Sequence, residues 1–543
     1  MAQPCIMWPQ MSPTTPTAKS YWHVKIRLSE VVLSLNELLR WRSELHPDAV
    51  ALVDEYGDQL TYAELQHQIE RCALRWNAVG VTRGDVVGVL DTNSTSFVVH
   101  VFGLARIQAI PALLNWRLTP AEHGPLFDLI QPVAIVSGQK LIDQLPPNLP
   151  PIRIALHPDQ ECPPTWVPDA MEPVDGNLPP PPQPNDVFAI GFSSGTTGRA
   201  KGIPLRHEAL ARSALIDSAE NVGMFVGARH IMAAPMFHLA GLSNSLMGLA
   251  NGAELHLRAG FNAQSILEDI EQVGAVYLTA VPAMFHAMVE AVRTRVDAPD
   301  LSSIREMSYG ASPIAPELLR EVEALFPGVR LRQFYGMTEV AGALTTLAPV
   351  DHEPSSPHRQ SAGRVNPGFE VRLVDRKGKD VVDGQPGEIL AKGPSVLHHY
   401  WKDSEATKEA IVDGWFQTGD IAVRSEGYLT IMDRAKDMVV TGGENVYPAE
   451  VEALLYEVPG VTDVAVIGVP DEQFGERVHA VVVAQPDATV NLEMIIEFCR
   501  GRLAGYKLPR SMEVVAELPR NPTGKILKRQ LRSRHWAGHI KQV

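Results

Sequence analysis

A glycine- and hydroxyl-rich run in the middle of the chain has the composition of a phosphate-binding loop. Its sequence is Phe192-Ser-Ser-Gly-Thr-Thr-Gly-Arg-Ala-Lys-Gly202, and it follows an apolar segment, Val187–Ile190, that is typical of a buried strand. The glycines free the backbone to turn N–H groups inward, while the hydroxyls and Lys201 add donors and positive charge for a polyphosphate. The run lacks the Gly-Lys-Ser/Thr of a Walker A loop, and Ser193 stands where a dinucleotide fingerprint needs glycine, so neither of those motifs is present.

Seven further segments carry acids, lysines, a histidine or glycines that could serve the same site. They are Pro235-Met-Phe-His238 with Gly241, Gly310-Ala-Ser-Pro313, Tyr335-Gly-Met-Thr-Glu339, Trp415-Phe-Gln-Thr-Gly-Asp420, Asp433-Arg-Ala-Lys-Asp437, Gly442-Gly-Glu-Asn-Val-Tyr-Pro448 and Pro519-Arg-Asn-Pro-Thr-Gly-Lys525. In this order, and together with the phosphate-binding run, they resemble the signature segments of the adenylate-forming superfamily, which includes acyl-CoA synthetases, luciferases and peptide-synthetase adenylation domains. One departure is Ala200, where the family usually has proline, and this change removes no hydrogen-bond donor.

The reaction that this resemblance implies explains the residue types. A carboxylate oxygen attacks the α-phosphate of ATP, pyrophosphate leaves, and the thiol of CoA then takes the acyl group from the acyl-adenylate. Negative charge builds on the phosphates, so such a site needs a metal ion, a lysine and backbone donors. We therefore expect ATP, Mg²⁺ and CoA as cofactors and co-substrates, with a small-molecule carboxylate as the substrate.

The resemblance also implies which residues contact the nucleotide. Glu339 matches the family's Mg²⁺ ligand, and one carboxylate with phosphate oxygens and water is enough for this ion. Thr196 is expected to donate to the β/γ-phosphates or to join the metal ion, Tyr335 to lie against the adenine ring, and Thr338 to contact the α-phosphate. The other expected nucleotide contacts are Ser193, Ser194, Gly195, Thr197, Gly198, Lys201, Gly310, Ala311, Gly336 and Met337. Outside these motifs, Glu339 would be a solvated acid and Thr196 a turn residue.

Two further matches concern the ribose and the reacting carboxylate. Asp420 and Arg434 resemble the ribose-binding pair, since a carboxylate can accept hydrogen bonds from two vicinal hydroxyls. A turn or capping aspartate and a surface arginine are the alternatives. Lys525 matches the lysine that reaches the acyl carboxylate and the bridging oxygens from a small domain, where its charge helps adenylation. A solvated lysine is the alternative there.

In the family, the small domain rotates after adenylation. Lys436 matches the hinge residue, and a few residues at a hinge can absorb such a change in φ and ψ. The rotation withdraws the catalytic lysine and brings Gly442, Gly443 and Glu444 to a tunnel for the CoA thiol; a simple turn between strand and helix is the alternative. His238 matches the residue that gates the acyl and CoA tunnels, and a satisfied core histidine is the alternative.

Hydrophobic patterning predicts an α/β fold of layered sheets and helices. Thr61 and Glu64 form a capping box ahead of an amphipathic helix. Apolar runs at Val86–Leu90 and near Ile110–Leu114 predict strands, with a helical run through Phe97–Ala105 between them. This alternation is expected to continue through a large N-terminal domain.

A second, smaller unit is predicted beyond Arg434. It starts with a strand (Met438–Thr441), a loop (Gly442–Tyr447) and a helix whose first residue is Pro448. Its later predicted elements are the strands Val464–Val469, Val478–Ala484 and Met512–Val515 and the helix Asn491–Leu503. We therefore expect a flexible extension over residues 1–30, a large ATP- and acyl-binding domain over 31–434 and a small mobile α+β lid domain over 435–543.

Composition excludes several classes of protein. The 543 residues are 45% hydrophobic and 20% charged, which is sufficient for a large core without disulfide or metal staples. Four separated cysteines without a CxxC pair argue against a zinc site or a disulfide framework. The net charge of −15 gives no diffuse attraction to nucleic acid. Because the sequence shows no apolar stretch of membrane-spanning length and no signal-peptide pattern, we expect a cytoplasmic protein. A homodimer is possible, since dimers are the commonest assembly.

The sequence gives less information about which carboxylic acid is the substrate than about the reaction. Peptide-synthetase domains carry aspartate where Phe237-His238 stands, to hold a substrate ammonium, so an α-amino acid is disfavoured. The segment after His238 is small and apolar, and similar walls are expected from Ala280–Met284, Tyr309–Ser312 and Met337–Ala341. We expect a fatty or short aliphatic acid. An aryl acid, transfer to a carrier protein in place of CoA, and an inactive nucleotide-binding scaffold are the alternatives.

Overall fold

The computed structural model describes residues 33–157, 167–169, 176–193, 200–295, 297–312, 314–486, 488–520 and 526–536. Three predictions fall outside these residues: the N-terminal extension, the inner part of the phosphate-binding run (Ser194, Gly195, Thr196, Thr197 and Gly198) and Lys525. Ser193 and Lys201, which bracket the phosphate-binding run, are both described.

The first part of the described chain alternates strands and helices, as its hydrophobic pattern predicts. Its elements are α1 (Leu35–Leu45), β1 (Val50–Val53), β2 (Gln59–Thr61), α2 (Tyr62–Ala78), β3 (Val86–Leu90), α3 (Thr95–Arg106), β4 (Ile110–Leu113), α4 (Pro120–Ile130), β5 (Ala134–Gly138), β6 (Ile152–Leu156), β7 (Val167–Pro168), β8 (Val187–Ser193) and β9 (Lys201–Arg206). Helix α2 begins with the predicted capping box, in which Glu64 N–H donates to Thr61 Oγ1 at 3.2 Å and Thr61 N–H donates to Glu64 Oε2 at 2.8 Å. The predicted strands on either side of α3 are confirmed as β3 and β4.

Strands β3 to β9 form a sheet that ends beside the phosphate-binding run. The strand order is β7-β6-β5-β3-β4-β8-β9, and the pairs are parallel except for β8 with β9. Every residue of β3 and β5 is buried, as expected for parallel strands covered on both faces. Ser193 and Lys201 are register partners, so the phosphate-binding run connects the ends of two adjacent antiparallel strands.

The middle of the chain contributes a second, larger sheet. Its elements are α5 (His207–Asp217), β10 (Arg229–Met232), α6 (Leu239–Asn251), β11 (Glu254–Leu257), α7 (Ala263–Val273), β12 (Tyr277–Ala280), α8 (Pro282–Thr294), β13 (Glu306–Gly310), α9 (Pro316–Leu325), β14 (Arg330–Met337), β15 (Gly342–Leu347), β16 (Arg364–Val365), β17 (Glu370–Val374), β18 (Pro386–Lys392), α10 (Ser404–Ala410), β19 (Ile411–Val412), β20 (Trp415–Ser425) and β21 (Tyr428–Arg434). The strand order is β17-β18-β20-β21-β16-β15-β14-β13-β12-β10-β11-β1-β2, with β19 beside β20.

Strand pairing in this larger sheet changes from parallel to antiparallel at β14. Strands β10 to β14 pair in parallel, with helices as crossovers, whereas β14, β15, β16, β21, β20, β18 and β17 pair antiparallel. The carboxyl ends of parallel strands meet at one edge of a sheet, where α/β proteins bind ligands. Gly310 ends β13 and Met337 ends β14, so two of the predicted nucleotide-binding segments begin at this edge.

The last part of the described chain forms a separate sheet with its own helices. Its elements are β22 (Val439–Thr441), β23 (Glu444–Val446), α11 (Pro448–Leu455), β24 (Val461–Asp471), β25 (Gly475–Ala484), α12 (Leu492–Cys499), β26 (Ser511–Val514) and α13 (Lys528–His535). The order is β23-β22-β25-β24, with β26 parallel to β25. The fold is therefore α/β, with a large N-terminal part and a smaller C-terminal part, as predicted.

The predicted loop at Gly442–Tyr447 is wrong in this smaller part. Gly442 and Gly443 form a two-residue turn, and the chain then returns as strand β23 against β22. Their φ angles are 61° and 86°, which is the left-handed pair that two-residue hairpins with a type I′ turn require. Backbone conformation sets this turn and hairpin, and apolar runs in the sequence carry no signal for it.

The helix predicted over Asn491–Leu503 is also too long. Asn491 is its N-cap, and its side chain accepts a hydrogen bond from Met494 N–H at 2.9 Å. The helix ends at Cys499, because Arg500 adopts an extended ψ of 129° and Gly501 a positive φ of 77°. The apolar periodicity continues past Cys499, but the helical backbone conformation does not.

The main apolar cluster joins the layers of the large part. Buried residues of α2, α3 and α6 pack with those of β3, β4 and β11, and Trp76, Phe97 and Phe188 are among its largest buried side chains. A separate cluster lies between the sheet and the helices of the small part. Within the described ranges, no helix combines the length and apolarity that crossing a membrane requires.

Candidate active site

Three residues predicted to bind the nucleotide form one hydrogen-bonded group at the junction of β14, β20 and β21. Tyr335 Oη donates to Asp420 Oδ2 at 2.7 Å, and Arg434 Nε lies 2.9 Å from Asp420 Oδ1. Asp420 and Arg434 are register partners on adjacent strands, so the sheet itself sets their pairing. Burial and the neighbouring Asp420 carboxylate raise the pKa of Tyr335 well above its ordinary value, so this phenol remains a donor.

The burial and pairing of Asp420 and Arg434 can be compared with the alternatives of a turn or capping aspartate and a surface arginine. Asp420 is 4% exposed and lies within β20, so it is neither a solvated nor a capping aspartate. Each of its carboxylate oxygens accepts one bond from the protein and retains a lone pair that a ribose hydroxyl could use. Arg434 is held against Asp420 and is not a free surface arginine.

Glu339 lies on a short 3₁₀ turn, Thr338–Val340, directly after β14. Its Oε1 accepts a hydrogen bond from Tyr400 Oη at 3.2 Å, and its carbonyl accepts one from Leu397 N–H at 2.7 Å. Burial raises the pKa of the Glu339 carboxyl, and Tyr400, Arg434 and Lys201 only partly oppose this. A carboxylate under this desolvation cost is stabilised by a nearby divalent cation, so the residues present fit Mg²⁺.

Lys201 approaches the same carboxylate from the end of the phosphate-binding run. It is the first residue of β9, and its Nζ lies 4.6 Å from the centre of the Tyr400 ring. Tyr400 thus contacts both Glu339 and Lys201. The sequence analysis missed Tyr400, because it lies in no recognised segment and its role depends on a contact across 61 positions of the chain.

Two glycines near Tyr335, Gly310 on the adjacent strand β13 and Gly336 next in sequence, lie very close to the backbone of neighbouring strands. A Cβ on Gly310 would lie 2.3 Å from the Phe334 carbonyl oxygen, and one on Gly336 would lie 2.0 Å from the Gly342 carbonyl oxygen. Both positions therefore require glycine. Ala311, immediately after β13, has a left-handed φ of 68°, a conformation that costs a non-glycine residue energy and recurs at functional sites.

Thr338 and Met337 link this strand end to the first sheet. Thr338 packs on Gly191 of β8, where an added Cβ would lie 3.1 Å from the Thr338 methyl group. Met337 is partly buried against the main apolar cluster. The end of β14 is therefore held beside β8, the strand that leads to Ser193 and the phosphate-binding run.

His238 is a half-buried residue whose Nε2 atom is buried and unused. It is the N-cap residue of α6, and its ring centroid lies 4.4 Å from that of Phe237. Burial, with Arg117 nearby, lowers the pKa of His238 to about 4, so the imidazole is neutral near pH 7. Its Nε2 has no hydrogen-bond partner among the described residues. His238 therefore differs from a core histidine whose ring nitrogens are both satisfied.

The predicted hinge lies between the two parts of the chain and is held from both sides. Ala435 N–H donates to the Gly419 carbonyl at 2.9 Å on the side of the large sheet. From helix α13, Arg532 Nη1 donates to the Lys436 carbonyl at 2.9 Å, and Arg532 Nη2 lies 2.5 Å from Asp437 Oδ1. Burial lowers the pKa of Lys436.

Not all predicted residues come together. Tyr335, Asp420, Arg434, Glu339 and Lys201 form one site, whereas Gly442, Gly443 and Glu444 belong to the hairpin of the separate small sheet. Glu444 is exposed, and no side-chain hydrogen bond or ion pair among the described residues joins the turn to the Asp420 group. Their role toward CoA stays a prediction, as do the roles of the residues outside the described ranges.

Replacing Asp420 by asparagine should weaken ATP use while leaving the fold intact. Asparagine keeps the size but loses the charge, and hydrogen bonds to charged groups contribute about 1.5–3 kcal/mol. We expect kcat/KM for ATP to fall roughly 10–100-fold on this basis. Tyr335→Phe is the matched control, because it removes the protein's own donor to Asp420 and keeps the aromatic ring. Equal loss in the two variants would argue against a direct ribose contact by Asp420.

The fold and the grouping of these residues are those of an ATP-dependent enzyme that activates a carboxylate as its adenylate. The chain belongs to the AMP-binding enzyme family, whose model matches residues 39–401; the model of the AMP-binding enzyme C-terminal domain matches residues 450–525. It is an AMP-forming acid–thiol ligase that uses ATP, Mg²⁺ and CoA.

Individual relatives cover nearly the whole chain. The chain is 35% identical to an indoleacetate–CoA ligase of Aromatoleum aromaticum over 507 residues, covering 92% of this chain and 98% of the relative. It is 32% identical to the fatty acid–[acyl-carrier-protein] ligase ScoC of Streptomyces coeruleorubidus over 529 residues, covering 94% and 98%. The ATP-bound crystal structure of MatB from Rhodopseudomonas palustris superposes with a TM-score of 0.82 at 30% identity, covering 92% of this chain and 99% of that one.

Proposed function

We propose that this ligase activates an apolar carboxylic acid, with fatty or short aliphatic acids as its preferred class, and transfers the acyl group to CoA. The observation that carries the acyl-adenylate step is the convergence of the Tyr335–Asp420–Arg434 group with Glu339 and Lys201 at the ends of the phosphate-binding run. An α-amino acid is disfavoured, since Phe237 and His238 stand where peptide-synthetase domains carry an ammonium-binding aspartate.

The proposed first step uses residues of both parts of the chain. Asp420 and Arg434 hold the ribose, Tyr335 lies against adenine, and Lys201 meets the phosphates. Glu339 and Thr196 would hold Mg²⁺, which would supply positive charge to neutralise the phosphates. Lys525 brings a further positive charge to the acyl carboxylate and the bridging oxygens, which lowers the barrier to pyrophosphate loss.

The proposed second step depends on movement between residues 31–434 and 435–543. Rotation at Lys436 withdraws Lys525 and presents Gly442, Gly443 and Glu444 to the pantetheine arm of CoA. His238 gates the passage between the acyl and thiol sites, which its buried, neutral and unpartnered Nε2 permits. We also propose a cytoplasmic location and a homodimeric assembly, which is the commonest one.

The preference for an apolar acid is supported by the surroundings of His238. Phe237 packs edge-on against Trp116 at 6.4 Å between ring centroids. Polar side chains near helix α6 bond to one another: Thr279 Oγ1 donates to Asn244 Oδ1 at 2.7 Å, and Tyr277 Oη to Ser308 Oγ at 2.6 Å. Polar groups that are satisfied internally leave an apolar lining for the substrate.

An aryl acid is the second candidate, and two observations favour it. The aromatic side chains of Phe237 and Trp116 could stack with a ring, and one relative is named for indoleacetate. Transfer to a carrier protein is a third candidate, since the other relative is named for an acyl-carrier-protein. Both candidates share the first half-reaction with the preferred one.

A panel of carboxylic acids tests the proposal. Aliphatic acids of increasing length, aryl acids and α-amino acids are each scored by pyrophosphate release with and without CoA. We expect pyrophosphate release with aliphatic acids and AMP release only when CoA is present. Preference for aryl acids would overturn the substrate class, acyl-AMP without CoA use would favour a carrier protein, and release of inorganic phosphate would remove the mechanism itself.

A further inference from the structure

A second cluster of metal-binding side chains lies in the small part of the chain, away from Glu339. His479 belongs to β25, Glu513 to β26, and His535 is the last residue of α13. The parallel pairing of β25 with β26 places His479 opposite Ser511, two residues before Glu513 on the same face of the strand. Helix α13 packs on the adjacent strand β24 and brings His535 to the pair.

The three ligand atoms converge without bonding to one another. Glu513 Oε1 lies 3.8 Å from His479 Nε2 and 3.6 Å from His535 Nε2. All three atoms lie within 4.8 Å of one another. These distances are too long for hydrogen bonds, but ligand atoms about 2.0–2.2 Å from one tetrahedral Zn²⁺ lie about 3.3–3.5 Å apart.

Each of these atoms is buried and unused. His479 Nε2, Glu513 Oε1 and His535 Nε2 have no hydrogen-bond partner among the described residues, and His479 as a whole is only 5% exposed. Buried polar atoms without a partner are uncommon, because each one costs its desolvation energy. Three such atoms that face one point indicate a shared ligand.

The surroundings also orient His479 as a ligand. Its Nδ1 lies 2.8 Å from Ser511 Oγ, which also accepts a hydrogen bond from Arg477 Nε at 3.2 Å. An Nδ1–H that donates to this oxygen leaves the lone pair of the imidazole on Nε2, toward Glu513. Metal-binding histidines are commonly held in this way by a partner of the second ring nitrogen.

We propose that His479, Glu513 and His535 bind a Zn²⁺ ion that clamps helix α13 onto the small sheet. Two imidazole nitrogens and one carboxylate oxygen favour Zn²⁺ over Mg²⁺, which prefers oxygen ligands. The side chains of His535 and Glu513 are 29% and 33% exposed, so an ion can enter and a water can complete the tetrahedron. Because α13 starts at Lys528, the clamp anchors the helix that directly follows Lys525.

Equilibrium dialysis of the full chain against Zn²⁺ tests this site. The protein is first stripped with a chelator and is then dialysed in buffer with Mg²⁺ and without nucleotide. We expect one Zn²⁺ per chain and a rise in Tm on Zn²⁺ addition, since a ligand that binds only the folded state stabilises it. His535→Ala and Glu513→Gln should each weaken binding at least about tenfold and reduce the Tm rise.

His67→Ala, on the exposed face of α2, is the matched histidine control and should bind Zn²⁺ like the parent. His535 and Glu513 are both partly exposed, so these variants are expected to fold, which far-ultraviolet circular dichroism checks. The proposal is overturned if the parent binds no Zn²⁺, or if the folded His535→Ala and Glu513→Gln variants bind it as tightly as the parent. None of these outcomes depends on ligase activity.

Discussion

Replacing Glu339 by glutamine should lower carboxylate-dependent pyrophosphate release by roughly 10²–10³-fold, the loss typical when one preorganised electrostatic contact to the reacting charge is removed. Glutamine keeps the size and the contact to Tyr400 but cannot bind Mg²⁺ as a charged ligand. We expect the Mg²⁺ concentration for half-maximal rate to rise as well. The measurement is a Mg²⁺ titration of pyrophosphate release at saturating ATP.

Glu388→Gln provides the matched control for this prediction. Burial also raises the pKa of Glu388, whose carboxylate accepts a hydrogen bond from Gly419 N–H at 3.3 Å. It is not an expected metal ligand, so its Mg²⁺ dependence should follow the parent. An unchanged Mg²⁺ dependence in Glu339→Gln would move the metal ligand to another residue.

Lys525→Ala should separate the two half-reactions. Adenylation should fall by roughly 10²–10³-fold, because a positive charge is lost where negative charge develops. Thioester formation from preformed acyl-adenylate should fall far less, because the proposed rotation of the small domain would withdraw this lysine before CoA attacks. The measurements are pyrophosphate release for the first step and acyl-CoA formation from supplied acyl-adenylate for the second.

Arg529→Ala is the control for the charge of the basic tail. Arg529 is exposed on helix α13, four residues after Lys525, and should leave both half-reactions near the parent rates. If Lys525→Ala reduced both half-reactions equally, the account based on domain rotation would need revision. If Lys525→Ala turned over like the parent, Lys525 would not be the catalytic lysine.

Local sequence signals predicted several elements of the fold, including one strand at the site. The capping box of Thr61 and Glu64 begins α2, and the apolar run at Val187–Ile190 begins β8, which extends to Ser193. The same kind of signal was less reliable where backbone conformation decides. Gly442 and Gly443 form a hairpin turn in place of a loop, and Gly501 accompanies an early end to the last predicted helix.

Contacts between distant segments could not be predicted from composition or spacing. Tyr400 reaches Glu339 from the segment between β18 and α10, 61 positions away, and no local pattern marks it. His479, Glu513 and His535 meet only because β25, β26 and α13 pack together. Cysteine spacing argued against a zinc site, but two histidines and one glutamate that are far apart in the sequence form no recognisable spacing pattern.

The contacts around the hinge determine where a rotation of the small part can occur. On one side, Arg434 is paired with Asp420, and the N–H of Ala435 is bonded to Gly419, so both residues are fastened to the large sheet. These contacts attach the chain to the large sheet as far as Ala435.

On the other side, Arg532 holds the carbonyl of Lys436 and the carboxylate of Asp437, so both move as one piece with α13. The torsion angles between Ala435 and Lys436 lie between these two attachments, but the N–H groups of Asp437 and Met438 donate to the Arg434 carbonyl at 2.9 and 3.1 Å across them. The proposed rotation at Lys436 must therefore break these two hydrogen bonds, and a residue with restricted φ at position 436 would oppose it.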